Sequence, residues 1–175
     1  MRTTSPNSLR SHASRWATSF TLGLGLAAIG WMPFARAQAP RDFHACQLFT
    51  LEDASAVLGG PAEPEPTKAK APKTSLQCNY LRQEGAKAMA ASASFRFFRS
   101  PAEALATLKE SRLEARGRPL IISGQDAYWH PKTAQLFVAK GNSLVMLQVG
   151  VLEEKERDPD PARKAAERML PRMGG

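Results

Sequence analysis

The chain has 175 residues, of which 43% are apolar and 23% are charged, an ordinary balance for a globular protein. Its 12 glycines and 13 prolines stay well below the ~25–30% that marks low-complexity chains. This composition argues against a disordered tail protein, a collagen-like chain, a multi-pass membrane protein and a large multidomain enzyme.

The positive net charge of the whole chain at first suggests nucleic-acid binding, but half of it lies in the first 37 residues. The formal charge is +8, but four arginines and no acid lie in residues 1–37, which leaves +4 for residues 38–175. Such a small positive excess is typical of solubility rather than of a surface that tracks phosphates. We therefore expect no nucleic-acid partner.

The first 37 residues have the three parts of a secretory signal peptide. Residues 1–15 are basic, residues 16–34 carry no charge, and Ala35-Arg36-Ala37 supplies small residues at alternate positions. The pattern predicts cleavage after Ala37 and a single mature domain, residues 38–175, in the periplasm or the medium. The alternative is an uncleaved anchor, because 19 uncharged residues just reach the length of a membrane span.

Both cysteines, Cys46 and Cys78, lie in the predicted mature chain. Because exported proteins meet an oxidising environment, the simplest prediction is one disulfide between them. The alternative is a reactive or metal-bound thiol, such as a His44–Cys46 metal pair, but a structural zinc site needs four ligands. We expect no metal site and no cofactor.

The first half of the mature chain predicts one helix, one loop and two strands. A helix begins at Thr50, whose hydroxyl suits an N-cap, and ends at Gly59-Gly60-Pro61. Residues 61–73 contain four prolines and predict an exposed, partly extended loop. Alternating apolar side chains predict strands at 76–81 and 88–98.

The second half begins with the strongest local signal, Ser100-Pro101-Ala102-Glu103, a capping box with proline at the first helical position. It predicts a helix to about Ala115 that buries Leu105, Leu108 and Leu113. Three further strands are predicted at 127–129, 135–139 and 144–151, with a last helix after residue 158; residues 120–123 are a candidate for a short extra strand that the predicted order leaves out. Gly141-Asn142 predicts a two-residue hairpin turn between the last two strands. The order α-β-β-α-β-β-β-α predicts an α+β domain with helices packed on an antiparallel sheet.

Several short motifs carry a resemblance to known proteins. They are Cys46-Gln-Leu-Phe-Thr-Leu-Glu-Asp-Ala54, Val57-Leu-Gly59, Cys78-Asn-Tyr80 and Gly124-Gln-Asp-Ala-Tyr-Trp129. Together they resemble a loose group of small exported bacterial proteins and lipoproteins of unknown function, often likened to the α/β/α sandwich of the PsbP-type photosystem proteins. The resemblance covers most of residues 43–171 and implies no catalytic residues. The chain lacks the cysteine at the cut through which the lipoproteins attach.

One candidate for chemistry is the alternation of Asp126, Tyr128 and His130 along a predicted strand. Read functionally, Asp126 and His130 are an acid/base pair for a small exported hydrolase. Read structurally, Asp126 ends a turn, Tyr128 is half buried and His130 precedes a proline. The mature sequence contains no nucleophile elbow, phosphate-binding loop or dinucleotide-binding fingerprint.

The other candidate is a contact surface at Trp129, His130 and Phe98, with Phe98 the phenylalanine left exposed. Basic residues that would attract an anionic ligand beside Trp129 are Arg96, Arg99 and Lys132. The leading hypothesis is therefore an exported, non-enzymatic module that binds a protein or another component of the cell envelope. Its binding surface is expected on the sheet or on the loop at 61–73.

Overall fold

A computed structural model describes residues 38–65, 76–151 and 158–174. The predicted signal peptide at 1–37 lies outside these residues, as do residues 66–73 of the Pro-rich segment. The predictions made for both therefore stay predictions.

The described residues form helices at both ends of the chain and one long helix between two groups of strands. The helices are α1 (Ala45–Leu48), α2 (Leu51–Leu58), α3 (Pro101–Ala115) and α4 (Asp160–Met169), which continues into a 3₁₀ turn at Leu170–Arg172. The strands are β1 (Glu63–Pro64), β2 (Gln77–Glu84), β3 (Lys87–Phe97), β4 (Arg118–Ile122), β5 (Gln125–His130), β6 (Gln135–Lys140) and β7 (Ser143–Val151).

These seven strands of the described chain make one antiparallel sheet in the order β1-β2-β3-β7-β6-β5-β4. Short turns join β2 to β3 and connect each consecutive pair from β4 to β7, while α3 carries the chain from β3 near the centre to β4 at one edge. The central pair is β3 with β7, in which Phe95 lies opposite Val145. This register puts the end of β3 beside the turn that joins β6 to β7.

Helices cover both faces of the sheet, so the domain has three layers. On one face, α2 and α4 pack over strand residues such as Phe95, Leu136 and Leu147, which are at most 4% exposed. On the other, α3 inserts Ala104 and Leu108 against Tyr128, Ala139 and Leu144. Because side chains alternate along a strand, β5, β6 and β7 contribute to both cores, whereas β3 contributes only to the core under α2 and α4.

The ends of α2 are held by side chains. Thr50 and Asp53 form a reciprocal capping box at its N-terminus. At the C-terminus, Gly59 adopts the left-handed conformation, and the Arg82 guanidinium from β2 donates to the Leu58 carbonyl oxygen. The capping box thus closes the first turn of α2, and the Arg82 contact ties its last turn to β2.

A disulfide joins Cys46 in α1 to Cys78 in β2, with a Cα–Cα distance of 5.1 Å. The predicted pairing is confirmed. The bond holds the short helix α1, which makes no side-chain cap hydrogen bond, to the sheet.

The α+β fold class with helices on an antiparallel sheet is confirmed, and the predicted element order differs in detail. Four strands follow α3 rather than three, because Ser123 and Gly124 both adopt positive φ (48° and 75°) and make a tight hairpin between β4 and β5. Residues 63–64, predicted as loop, pair with β2 at the sheet edge.

The predicted burial of Leu113 is wrong. Leu108 is buried, but Leu113 is 71% exposed. Because five residues along a helix turn the side-chain direction by about 140°, Leu108 and Leu113 cannot both point toward the sheet.

The end of α3 turns sharply into β4 at a glycine. Arg116 adopts the left-handed conformation, and a Cβ on Gly117 would overlap the Tyr128 ring and stand 3.2 Å from the Trp129 carbonyl oxygen. Tyr128 is held in place because it is buried and stacks on Phe137, with ring centroids 4.7 Å apart. Only glycine fits this close approach without displacing a buried ring.

Candidate functional site

A cavity of about 520 Å³ opens at one end of the sheet, and we call it the end cavity. Four separate parts of the chain surround it: the segment before α1, the residues between β3 and α3, the β6–β7 turn, and the C-terminal 3₁₀ turn. Its apolar walls include Phe43, Leu48, Phe97 and Met173. The cationic residues Arg99, Lys140 and Arg172 also line it.

The aromatic wall is built by Phe43, which precedes α1. Its ring meets Phe95 and Phe97 of β3 edge to face, with centroid distances of 5.1 Å and 4.9 Å. Edge-to-face contacts of this kind favour a fixed ring orientation. The N-terminal segment is thereby packed onto β3, and Phe97 remains part of the cavity lining.

We call the part of the end cavity lined by Arg99 and Lys140 its rim. Hydrogen bonds from the β6–β7 turn hold this rim together. The Asn142 backbone oxygen accepts from the Phe98 N–H at 2.8 Å, and the Asn142 side-chain amide donates to the Phe98 carbonyl at 3.2 Å. The Ser143 hydroxyl donates to the Lys140 carbonyl at 2.8 Å. These hydrogen bonds hold the β6–β7 turn, and Lys140 at its start, next to Phe98, the residue before Arg99.

The third cation, Arg172, is positioned by a buried carboxylate outside the cavity lining. Asp53 is 1% exposed, and Arg172 donates to both of its oxygens, while Arg168 Nε donates at 3.3 Å. Arg172 also donates to the Leu48 carbonyl at 3.0 Å. The C-terminal turn is thus tied to the start of α2.

The pKa of Asp53 reflects the same cluster. Burial alone would raise it, but hydrogen bonds from Arg172 and from Thr50 outweigh burial and hold the pKa below its ordinary value. The carboxylate is therefore ionised at neutral pH and neutralises part of the positive charge of Arg172 and Arg168.

The end cavity is electrostatically one-sided. Its lining in the described part of the chain contains three cationic side chains and no Asp or Glu. The Asp53 carboxylate offsets Arg172, whereas the Arg99 guanidinium and the Lys140 ammonium have no hydrogen-bond or ion-pair partner among the described residues. The net character of the rim is positive.

The structure places the predicted contact residues in different environments. Phe98 and Trp129 are both only 4% exposed, so the expected exposure of Phe98 is wrong and neither ring offers a face to a partner. The Arg96 guanidinium lies 4.8 Å from the Phe98 ring centroid and covers it. His130 is half buried, and its Nδ1 accepts from the Thr133 N–H at 3.3 Å.

The two residues of the hydrolase hypothesis lie at opposite ends of β5. Four residues of extended chain separate Asp126 from His130, about 13 Å at ~3.3 Å per residue. Neither residue lines the end cavity. Asp126 instead borders a smaller cleft of about 220 Å³ between α3 and β4.

Sequence reasoning found one residue of the end cavity, Arg99, as a basic residue for an anionic ligand. It missed the residues contributed by the two ends of the domain, because no local motif links them. Two local sequence signals fall in this region, the Gly141-Asn142 turn and the helix start at Pro101, and the structure confirms both.

Three further observations concern the kind of protein to which this chain belongs. The described residues hold no group of His, Cys, Asp or Glu arranged to bind a metal ion. None of the helices in the described segments has the length and apolar character needed to cross a membrane. Comparisons with family models, curated proteins and solved structures find no significant match.

Proposed function

We propose that this chain is an exported, non-enzymatic binding module and that the end cavity is its ligand site. The observation that carries the proposal is a cavity of about 520 Å³ with apolar walls and a few converging polar groups. Ligand sites typically have volumes of ~300–1,000 Å³ and this division between apolar walls and orienting polar groups.

The side-chain chemistry of the cavity supports binding over catalysis. Within the described residues, its lining contains no His, Asp, Glu or Cys, the groups that most often act as acids, bases or nucleophiles. The Ser143 hydroxyl donates its proton to a backbone carbonyl, so Lys140 does not activate it.

Export is supported by two independent features. Residues 1–37 have the pattern of a signal peptide, and Cys46 is bonded to Cys78. Disulfides are typical of proteins that work outside the reducing cytosol. These features favour the periplasm or the medium as the compartment in which the protein binds its ligand.

The alternative is a small hydrolase that uses Asp126 and His130. About 13 Å of strand between them leaves no shared proton and no direct orientation of the imidazole by the carboxylate. We expect the protein to show no ester hydrolysis that is lost on His130→Ala replacement. Hydrolysis abolished by that change would favour the enzyme instead.

The binding proposal is tested with N-phenyl-1-naphthylamine, an uncharged apolar fluorophore that brightens in apolar sites. We expect saturable binding at one site per chain. Leu48→Trp, within the wall, and Gly174→Trp, at the mouth, should both abolish it by filling the space. Gly174 tolerates a side chain because a Cβ there meets nothing within 4 Å.

Leu113→Trp is the matched control, because Leu113 is 71% exposed and lies outside the cavity. It should leave binding unchanged, and circular dichroism should show all three variants folded. Absence of fluorophore binding, or binding that both filling variants leave intact, would overturn the proposed site.

A further inference from the structure

We infer that the ligand of the end cavity is an amphiphilic anion: one acidic headgroup, held at the rim by Lys140 and Arg99, on an apolar body inside. This inference rests on the proposed function, since it names the class of ligand for the same site. Three features of the cavity carry it.

The first feature is the availability of two of the three cations. Arg172 already donates to both oxygens of Asp53 and to the Leu48 carbonyl. Lys140 and Arg99 have no such partner in the described chain, and no carboxylate lines the cavity there. The Glu103 carboxylate accepts from the Arg99 backbone N–H but does not line the cavity. An incoming anion therefore meets two cations without an ion-pair partner and no carboxylate in the lining.

The second feature is that these cations lie on neighbouring segments, which one backbone and one side-chain hydrogen bond hold together. The two hydrogen bonds between Asn142 and Phe98 join the β6–β7 turn to the residue before Arg99. Because the backbones are fixed, less conformational entropy is lost when both side chains close on one headgroup. Two cationic side chains can both bind one carboxylate or phosphate headgroup.

The third feature is the apolar lining, to which Phe43, Leu48, Phe97 and Met173 contribute. These side chains gain free energy by covering apolar surface and offer no hydrogen bonds to a sugar or a second charge. A small inorganic anion would use the rim and leave this surface wet. An anion with an apolar tail binds the cations at the rim with its headgroup and covers the apolar lining with its tail.

The test compares ligands with the same ten-carbon tail and different headgroups, each below its critical micelle concentration. Displacement of N-phenyl-1-naphthylamine gives the affinities of decanoate, decyl phosphate, decanol and decyltrimethylammonium. We expect both anions to bind about 10-fold or more tighter than the cation at low salt, a preference that added NaCl weakens. The ratio of decanoate to decyl phosphate then distinguishes a carboxylate from a phosphate headgroup.

Charge-removing variants locate the headgroup. Lys140→Gln and Arg99→Gln should each weaken decanoate binding by about 3- to 10-fold and leave decanol binding unchanged. Lys164→Gln is the control, because Lys164 is an exposed cation on α4 and does not line the cavity. It should change neither affinity.

The two levels of the proposal fail in different ways. Equal affinity for decanoate and decyltrimethylammonium, with the fluorophore still bound, overturns the anionic class and leaves the binding site standing. The same holds if neither Lys140→Gln nor Arg99→Gln affects decanoate. Failure of the fluorophore itself to bind overturns both.

Discussion

Replacing Asp53 by asparagine tests the cluster that joins α2 to α4 and to the 3₁₀ turn after it. One oxygen of Asp53 accepts from the Thr50 N–H and hydroxyl, and both oxygens face Arg172. Arg168 donates to the other oxygen. Every neighbour is a donor to the carboxylate, so the NH₂ group of an asparagine must face a donor on one side or the other.

The expected cost follows from the bonds that this change removes. Charge-assisted hydrogen bonds contribute ~1.5–3 kcal/mol each, and Asp53→Asn loses at least two. The side chains of Arg172 and Arg168 are 41% and 45% exposed, so water compensates part of the loss. We expect the free energy of unfolding to fall by about 2–3 kcal/mol, which lowers Tm by roughly 6–12 °C for a domain of this size.

The pH dependence supplies a sharper form of the same test. The pKa of Asp53 is lower in the folded state than its ordinary value of 3.8, so its contribution is fully present above about pH 4. That contribution declines as the pH falls through the folded pKa, because the protonated form cannot accept as many hydrogen bonds. The stability difference between the wild type and Asp53→Asn should therefore shrink below pH 4, while other carboxylates cancel in the comparison.

Urea unfolding at a series of pH values from 7 to 2, followed by circular dichroism, measures this difference. Glu114→Gln is a suitable control, since Glu114 is an exposed carboxylate on α3 and forms no ion pair in the described structure. A difference that is absent at pH 7, or that stays constant down to pH 2, would refute the assigned role of Asp53.

Three further predictions concern the rest of the chain. Gly117→Ala should destabilise the domain by about 1–3 kcal/mol in urea unfolding, because the new methyl group overlaps a buried ring, whereas Gly174→Ala should have no effect. Removing the disulfide by replacing Cys46 and Cys78 with serine should lower the free energy of unfolding by about 3–4 kcal/mol, on the chain-entropy estimate for a sequence separation of 32; an unchanged urea midpoint would contradict it. After expression with export, intact mass should correspond to a chain cut after Ala37; recovery of the uncut chain only would favour the membrane-anchor alternative.

Local sequence signals determined much of the secondary structure. The Thr50 and Ser100 caps, the alternation along β3 and the Gly141-Asn142 turn act within a few residues, so they could be read without any tertiary contact. The disulfide was predictable as well, because a chain with the pattern of a signal peptide and only two cysteines leaves one pairing.

The placement of the site was decided by the tertiary structure alone. The end cavity brings Phe43, Phe97, Lys140 and Met173 together from four segments, and the order of strands in the sheet sets which chain ends meet. The exposure of Phe98 was mispredicted for the same reason, since α3 packs against its ring, to which Arg96 adds a local contact from the end of β3. Side-chain burial and charge compensation depend on neighbours that are distant in sequence, and local periodicity carries no information about them.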